Sequence, residues 1–95
     1  MKKIRLTQEP YLANNGQDYR DYIDDAGNLT QDGVDAGVAY YTAHAVDGDG
    51  NEYDVNWSIA NLDAYNSGDE DCCNWDEPAE IRNEDNAIVD AKIEW

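Results

Sequence analysis

VAYYTAHAV (38–46), DGDGN (47–51) and EYDVNWSI (52–59) decide the fold. Two strand-like runs flank a block of Gly, Asp and Asn, the pattern of a β-hairpin whose turn needs glycine at positive φ. In the second run Tyr53, Val55, Trp57 and Ile59 alternate with Glu52, Asp54, Asn56 and Ser58, so one face is apolar and the other polar. The first run sets Ala39, Tyr41, Ala43 and Ala45 against Tyr40, Thr42, His44 and Val46, and either set could face inward. The small alanines would leave room for a helix against the sheet.

Toward the N-terminus, residues 2–7 read as a short strand with Ile4 and Leu6 on one face and Lys3, Arg5 and Thr7 on the other, ended by Pro10. After a loop at Asn14, Asn15 and Gly16, the spacing of Tyr19, Tyr22, Ile23 and Ala26 predicts a short amphipathic helix over 18–26. Asp18 would cap that helix and Gly27 would end it, with Asp18, Asp21 and Asp25 toward its polar side. Residues 27–37 read as loop. Residues 61–77 read as an exposed acidic loop anchored by Trp75. Beyond Pro78, residues 79–82 and 87–95 suggest a second hairpin about Asn83–Asn86, with Val89, Ala91, Ile93 and Trp95 as its core face. The expected fold is α+β: a single domain over 1–95, with a small, mostly antiparallel sheet of two hairpins and an N-terminal strand under one short α-helix.

Twenty-two acidic residues against six basic ones give a net charge of -16 in 95 residues. Such a chain is repelled by nucleic acid and by anionic membranes, so a basic protein is the expected partner. Seven Tyr and three Trp, with the alternating runs, separate it from disordered acidic sequences. MKKIRLTQEP lacks the apolar core of a signal peptide, which predicts a cytoplasmic protein. Cys72 and Cys73 are adjacent, where an ordinary disulfide is strained, and they form no disulfide framework.

Chemical motifs are few. Asp47, Asp49 and Asn51 stand where an EF-hand loop has its first three ligands, but Glu52 replaces the glycine at position 6 and Ser58 the glutamate at position 12. A hairpin turn fits better. His44 lies mid-strand without a nucleophile signature beside it, and vicinal cysteines do not match the spaced pairs of structural zinc sites. With so many carboxylates, chance pairs carry no information about acid-base chemistry, and there is no phosphate-cradling loop. The expectation is a non-enzyme with no catalytic residue, metal or cofactor.

The distribution of charge is more informative. Between Thr7 and Ile81 there are 18 acids and a single base, Arg20. If the terminal strands are neighbours, Lys2, Lys3, Arg5, Arg82 and Lys92 would gather in one region. A protein of this mass exposes roughly 5,500 Å², about one net charge per 340 Å², whereas duplex DNA has about one per 110 Å². Confined to half the surface, the surplus would reach about one per 170 Å². Carboxylates two apart on a strand, such as Glu52 and Asp54, are about 7 Å apart, a phosphate-like interval. The expected partner-binding surface comprises Asp18, Asp21, Asp25, Asp47, Asp49, Glu52, Asp54, Asp69, Glu70, Asp71, Asp76 and Glu77.

In length, charge, α+β pattern and acidic segments such as Glu70-Asp71-Cys72-Cys73-Asn74-Trp75-Asp76-Glu77-Pro78, the chain resembles the small acidic phage proteins that counter bacterial defence, the anti-CRISPR and anti-restriction inhibitors. The resemblance is one of class and fixes no functional residue. It implies a DNA mimic that occupies the basic groove of a Cas effector or restriction enzyme, touching neither nucleic acid nor membrane itself, with pairing of two copies through a sheet edge left open. The rival readings are a halophilic adaptation and a calcium-binding regulatory module. Thermal melting in dilute buffer and in molar salt separates the first rival: a mimic is expected to be folded in both, and a fold that requires molar salt would point to halophily.

Overall fold

The computed structural model describes residues 2–95. Among these residues six strands, β1 (Lys2–Leu6), β2 (Tyr11–Ala13), β3 (Tyr40–Asp47), β4 (Glu52–Trp57), β5 (Glu80–Arg82) and β6 (Ala91–Glu94), make one sheet. Its order is β5-β4-β3-β1-β6, with β2 also on β3. Two short helices, α1 (Gln31–Ala36) and α2 (Leu62–Asn66), lie in the connections.

The predicted hairpin forms. β3 and β4 pair antiparallel from Tyr41 opposite Trp57 to Val46 opposite Glu52, and Gly50 turns the chain at φ 85°. Ala39, Ala43 and Ala45 are the inward set of the first run and meet Tyr53, Val55 and Trp57 in the core. Trp57 is only 1% exposed. β1 and β2 share the other edge of β3: Arg5 lies opposite Val46, and Leu12 opposite Tyr41. Between them the chain bends through Pro10, which has no N–H to add to the ladder.

Asp47 locks the hairpin from inside. It is 7% exposed, and its carboxylate accepts hydrogen bonds from Asp49 N (2.8 Å), Asn51 N (3.0 Å), Asn51 Nδ2 (3.0 Å) and the Tyr53 hydroxyl (2.8 Å), with Lys2 Nζ at 3.2 Å. Burial by itself would raise its pKa. The hydrogen bonds from Asn51, Tyr53 and the backbone outweigh burial and hold the carboxyl below the usual carboxylate range.

Several expectations are corrected. No α-helix spans 18–26: Tyr19–Tyr22 is a single 3-10 turn, capped by Asp18, which accepts from Arg20 N at 3.0 Å. Ile23 then bridges Leu29, and the Asp24 carboxylate accepts from Ala26 N and Asn28 N, closing a tight turn with Gly27 at φ 84°. The helix stands instead at Gln31–Ala36, inside the supposed loop, between a Thr30 cap and Gly37 at φ 70°. Gly33 lets it settle, because a Cβ there would come within 2.6 Å of Leu29 Cδ1 and 2.9 Å of Tyr22 Cβ.

The segment 61–77 is not simply an exposed loop. It contains α2 and a 3-10 turn at Glu70–Cys72, and both cysteines are in the core. Trp75 does anchor it, donating from Nε1 to Glu70 O at 2.9 Å and accepting at its carbonyl from Trp57 Nε1 at 3.0 Å.

The second hairpin only begins. Asn83 N donates to Ala87 O and Arg82 bridges Ile88, but the chain then leaves β5, and β6 pairs parallel with β1 at the opposite side of the sheet. The sheet is therefore mixed. Three-residue β5 buries only Ile81, whereas β1 offers β6 a longer edge on which Ile93 lies beside Ile4. Ile93 is buried and Val89 and Ala91 are half-buried, as expected, but Trp95 is 66% exposed. Parallel pairing gathers Lys2, Lys3, Arg5 and Lys92; Arg82 lies apart on β5.

The depressed pKa of Asp47 has a stability consequence. Its contribution is fully present above the unfolded value of about 3.9 and is lost as the pH falls below it. Asp47→Asn is expected to lower the melting temperature at pH 7 and to flatten the acid limb of the stability profile below about pH 4. Circular dichroism melts across that range check this, and an acid limb as steep as that of the parent chain would refute it.

Candidate functional site

Side chains from β1, β3, β4, β5 and β6 alternate between a buried face and an outer one. Outward, away from Ile4, Ala43, Ile81 and Ile93, project Lys3, Arg5, His44, Arg82 and Lys92, together with Glu52, Asp54, Glu80 and Glu94. This face is a mixture of opposite charges. Lys3 sits 3.4 Å from Glu94, His44 Nδ1 lies 3.0 Å from Asp54, and Arg82 pairs with Glu80 at 3.2 Å. Arg82 and the Asn56 amide together hold the Glu80 carboxyl below its ordinary value.

The buried face is covered by two connections, 14–39 and 58–79, which contribute Leu29, Val38, Ile59, Cys72 and Cys73 to the core. The charged residues on their outer surface are nearly all negative. The first carries Asp18, Asp21, Asp24, Asp25, Asp32 and Asp35, and the second Asp63, Asp69, Glu70, Asp71, Asp76 and Glu77, all of them exposed. Against these twelve acids stands Arg20 alone, and Arg20 is occupied by Asp18 at 3.1 Å. The molecule thus has an acidic layer and a mixed one.

The sequence-predicted acids divide along these lines. Asp69, Glu70, Asp71, Asp76 and Glu77 come together around the 3-10 turn and Trp75, while Asp18, Asp21 and Asp25 lie on the other connection. Without a helix, these three make no continuous row. Glu52 and Asp54 belong to the mixed face, where Glu84 accepts from Glu52 N and His44 engages Asp54. Asp49 is exposed at the hairpin tip, 3.8 Å from Lys2. Asp47 displays no charge outward, since its carboxylate is spent on the turn. That same geometry explains DGDGN as a structural loop: both Asp47 oxygens already face donors. Among the described residues, no three of His, Cys, Asp and Glu converge in a way that could hold a metal ion.

Sequence reasoning missed one feature, a cleft of about 690 Å³ at the edge of the acidic layer. Tyr41 from β3, Tyr65 from α2, Trp75 and Trp95 line it, with Glu9, Asp69, Glu70 and Asp76 around them. Trp75 meets Tyr41 edge-on at 5.4 Å and Trp57 at 5.4 Å, and Trp95 lies 6.4 Å from Trp57. Trp95 Nε1 donates to Asp76 Oδ1 at 3.1 Å. These groups come from distant segments, so no local pattern announces them. Burial and the neighbouring thiols push the Tyr41 hydroxyl up to about 12, and burial also raises Tyr65, which lies 3.3 Å from the Tyr19 hydroxyl. Both phenols are neutral at physiological pH.

Cys72 and Cys73 are free and buried behind the cleft, their sulfurs 3.7 Å apart. Burial, reinforced by Cys72, pushes the Cys73 thiol up to about 12. None of the described helices is long and apolar enough to cross a membrane. Comparison of the chain with family models, with curated proteins and with solved structures finds no match.

The cysteine environment predicts sluggish chemistry, because the thiolate is the reactive form. Iodoacetamide at pH 8 is expected to label the native chain at least about tenfold more slowly than the chain unfolded in guanidinium, read by intact mass. Equal rates would contradict the burial of this pair and the raised pKa of Cys73.

Proposed function

We propose that this protein is a DNA-mimic inhibitor that binds the basic nucleic-acid-binding surface of a bacterial defence protein, a CRISPR-Cas effector first of all, and blocks target DNA. The observation that carries the reading is the one-sided acidity: two connections with twelve exposed acids and a single, already paired arginine cover one face of the sheet. A halophilic coat would be uniform, and this one is not.

Shape supports the same reading. The molecule extends 48 × 24 × 19 Å, and its radius of gyration of 14.3 Å exceeds the roughly 12.4 Å expected of a compact domain this size. A rod with a cross-section near 20 Å suits a groove built for a duplex of roughly 10 Å radius. Charge density sets the limit of the likeness. The acidic layer carries a net -11, and over half of the 6187 Å² surface that is about one charge per 280 Å², sparser than the 110 Å² of DNA. Competition with DNA then depends on local clusters, above all Asp69 to Glu77 with five acids in nine residues. Their attraction to lysine and arginine accelerates encounter and weakens with salt.

The test is capture of a partner from bacterial lysate followed by displacement with duplex DNA. A nucleic-acid-binding protein released by DNA is the expected result, and a partner indifferent to DNA would overturn the reading. Replacing Asp69, Glu70 and Asp71 with Asn or Gln is expected to weaken that partner at least about tenfold at low salt, with the melting temperature nearly unchanged. Unaltered affinity after this and equivalent groups of replacements would count decisively against mimicry.

A further inference from the structure

Exposed tryptophan is costly in water, and large aromatic side chains tend to carry binding energy where a partner can desolvate them. Trp95 is 66% exposed at the mouth of the cleft described above. Its N–H edge is tied to Asp76, and that of Trp75 to the Glu70 carbonyl. What the two indoles retain for a ligand is therefore their π surface.

The rim selects the sign of that ligand. Glu9, Asp69, Glu70 and Asp76 line the cleft, and among the described residues no Lys, Arg or His does. Asp76 uses one oxygen for Trp95; its other oxygen takes no hydrogen bond among the described residues. Phosphates and carboxylates are repelled. A volume of about 690 Å³ falls within the roughly 300–1,000 Å³ of ligand-sized clefts.

We infer that this cleft is a receptor for an arginine side chain of the basic protein partner, its guanidinium placed against the indoles and its N–H groups directed at Asp76, Asp69 and Glu9. The inference rests on the proposed function for its partner and adds the point at which that partner is gripped. Guanidinium suits the site better than ammonium on three counts: it stacks on aromatic faces, it presents a planar fork to carboxylates, and it is more weakly hydrated, so less solvation is lost on entry. The diffuse acids outside the cleft supply steering; this pocket would supply an anchor.

The experiment uses the full chain and N-acetyl-arginine amide as probe, titrated into a ¹⁵N-labelled sample at constant ionic strength. Saturable shifts of the Trp75 and Trp95 indole N–H signals are expected, with N-acetyl-lysine amide about five- to tenfold weaker. Trp95→Ala, a change at an exposed position, and Asp76→Asn should each reduce arginine affinity about five- to tenfold while the melting temperature holds. Indole signals that do not respond, or that respond equally to lysine, overturn the inference. Partner binding distinguishes the two levels of the argument. If Trp95→Ala leaves capture of the partner intact while replacement of Asp18, Asp21 and Asp25, which lie outside the cleft, weakens it, the arginine receptor fails and mimicry stands; if no acidic replacement matters, mimicry itself fails.

Discussion

Asp47 is the joint on which the sheet turns. One carboxylate receives the backbone that reverses between β3 and β4, the Tyr53 hydroxyl from β4 and the Lys2 ammonium from β1, so three strands meet at a single buried charge. In a chain with 22 acids, this one has been drawn out of the repulsive field and made into a structural acceptor. The adjoining alanines complete the arrangement. Because Ala43 and Ala45 are small, the centre of the sheet does not hold the covering layer away, and Trp57, Leu29 and Cys72 close over it without a long helix.

Physical reasons account for what could be foreseen. The central hairpin was legible because strict alternation and a glycine turn act locally: Tyr53, Val55 and Trp57 must share a face wherever the strand goes. The helix was misplaced because the stripe of Tyr19, Tyr22 and Ile23 mimics helical spacing, while Asp24 offers the backbone a tighter turn that ends it. The true helix was obscured by Gly33, unfavourable in a helix interior but required by the approach of Leu29. The pairing of β6 with β1 is a long-range choice between two edges, and no local signal distinguishes it from completing a hairpin on β5.

The candidate site was legible in outline only. Counting acids between Thr7 and Ile81 anticipated a negative surface, and eleven of the twelve residues named for it are indeed exposed, Asp47 being the exception. Counting could not tell a free carboxylate from one held by a neighbour. Asp54 and Asp18 have partners, whereas Asp21 and Asp25 make no ion pair among the described residues. Nor could it reveal that Tyr41, Trp75 and Trp95 converge, since their meeting requires the path of β6 across the sheet.

The parallel pairing of β6 with β1 also bears on how the chain reaches its fold. Lys2 must find Ala91, and Ile4 must find Ile93, across nearly the whole sequence, while the hairpin of β3 and β4 closes through the four residues 48–51. Loop-closure entropy and mutual repulsion of the intervening acids both retard the distant contact. Contact separation therefore leads us to expect the central hairpin to form first and β6 to dock afterwards. Salt, by screening those acids, would quicken this closing step; under the proposed function it would also loosen the grip on a basic partner, so one ionic variable would drive assembly and the proposed inhibition in opposite directions.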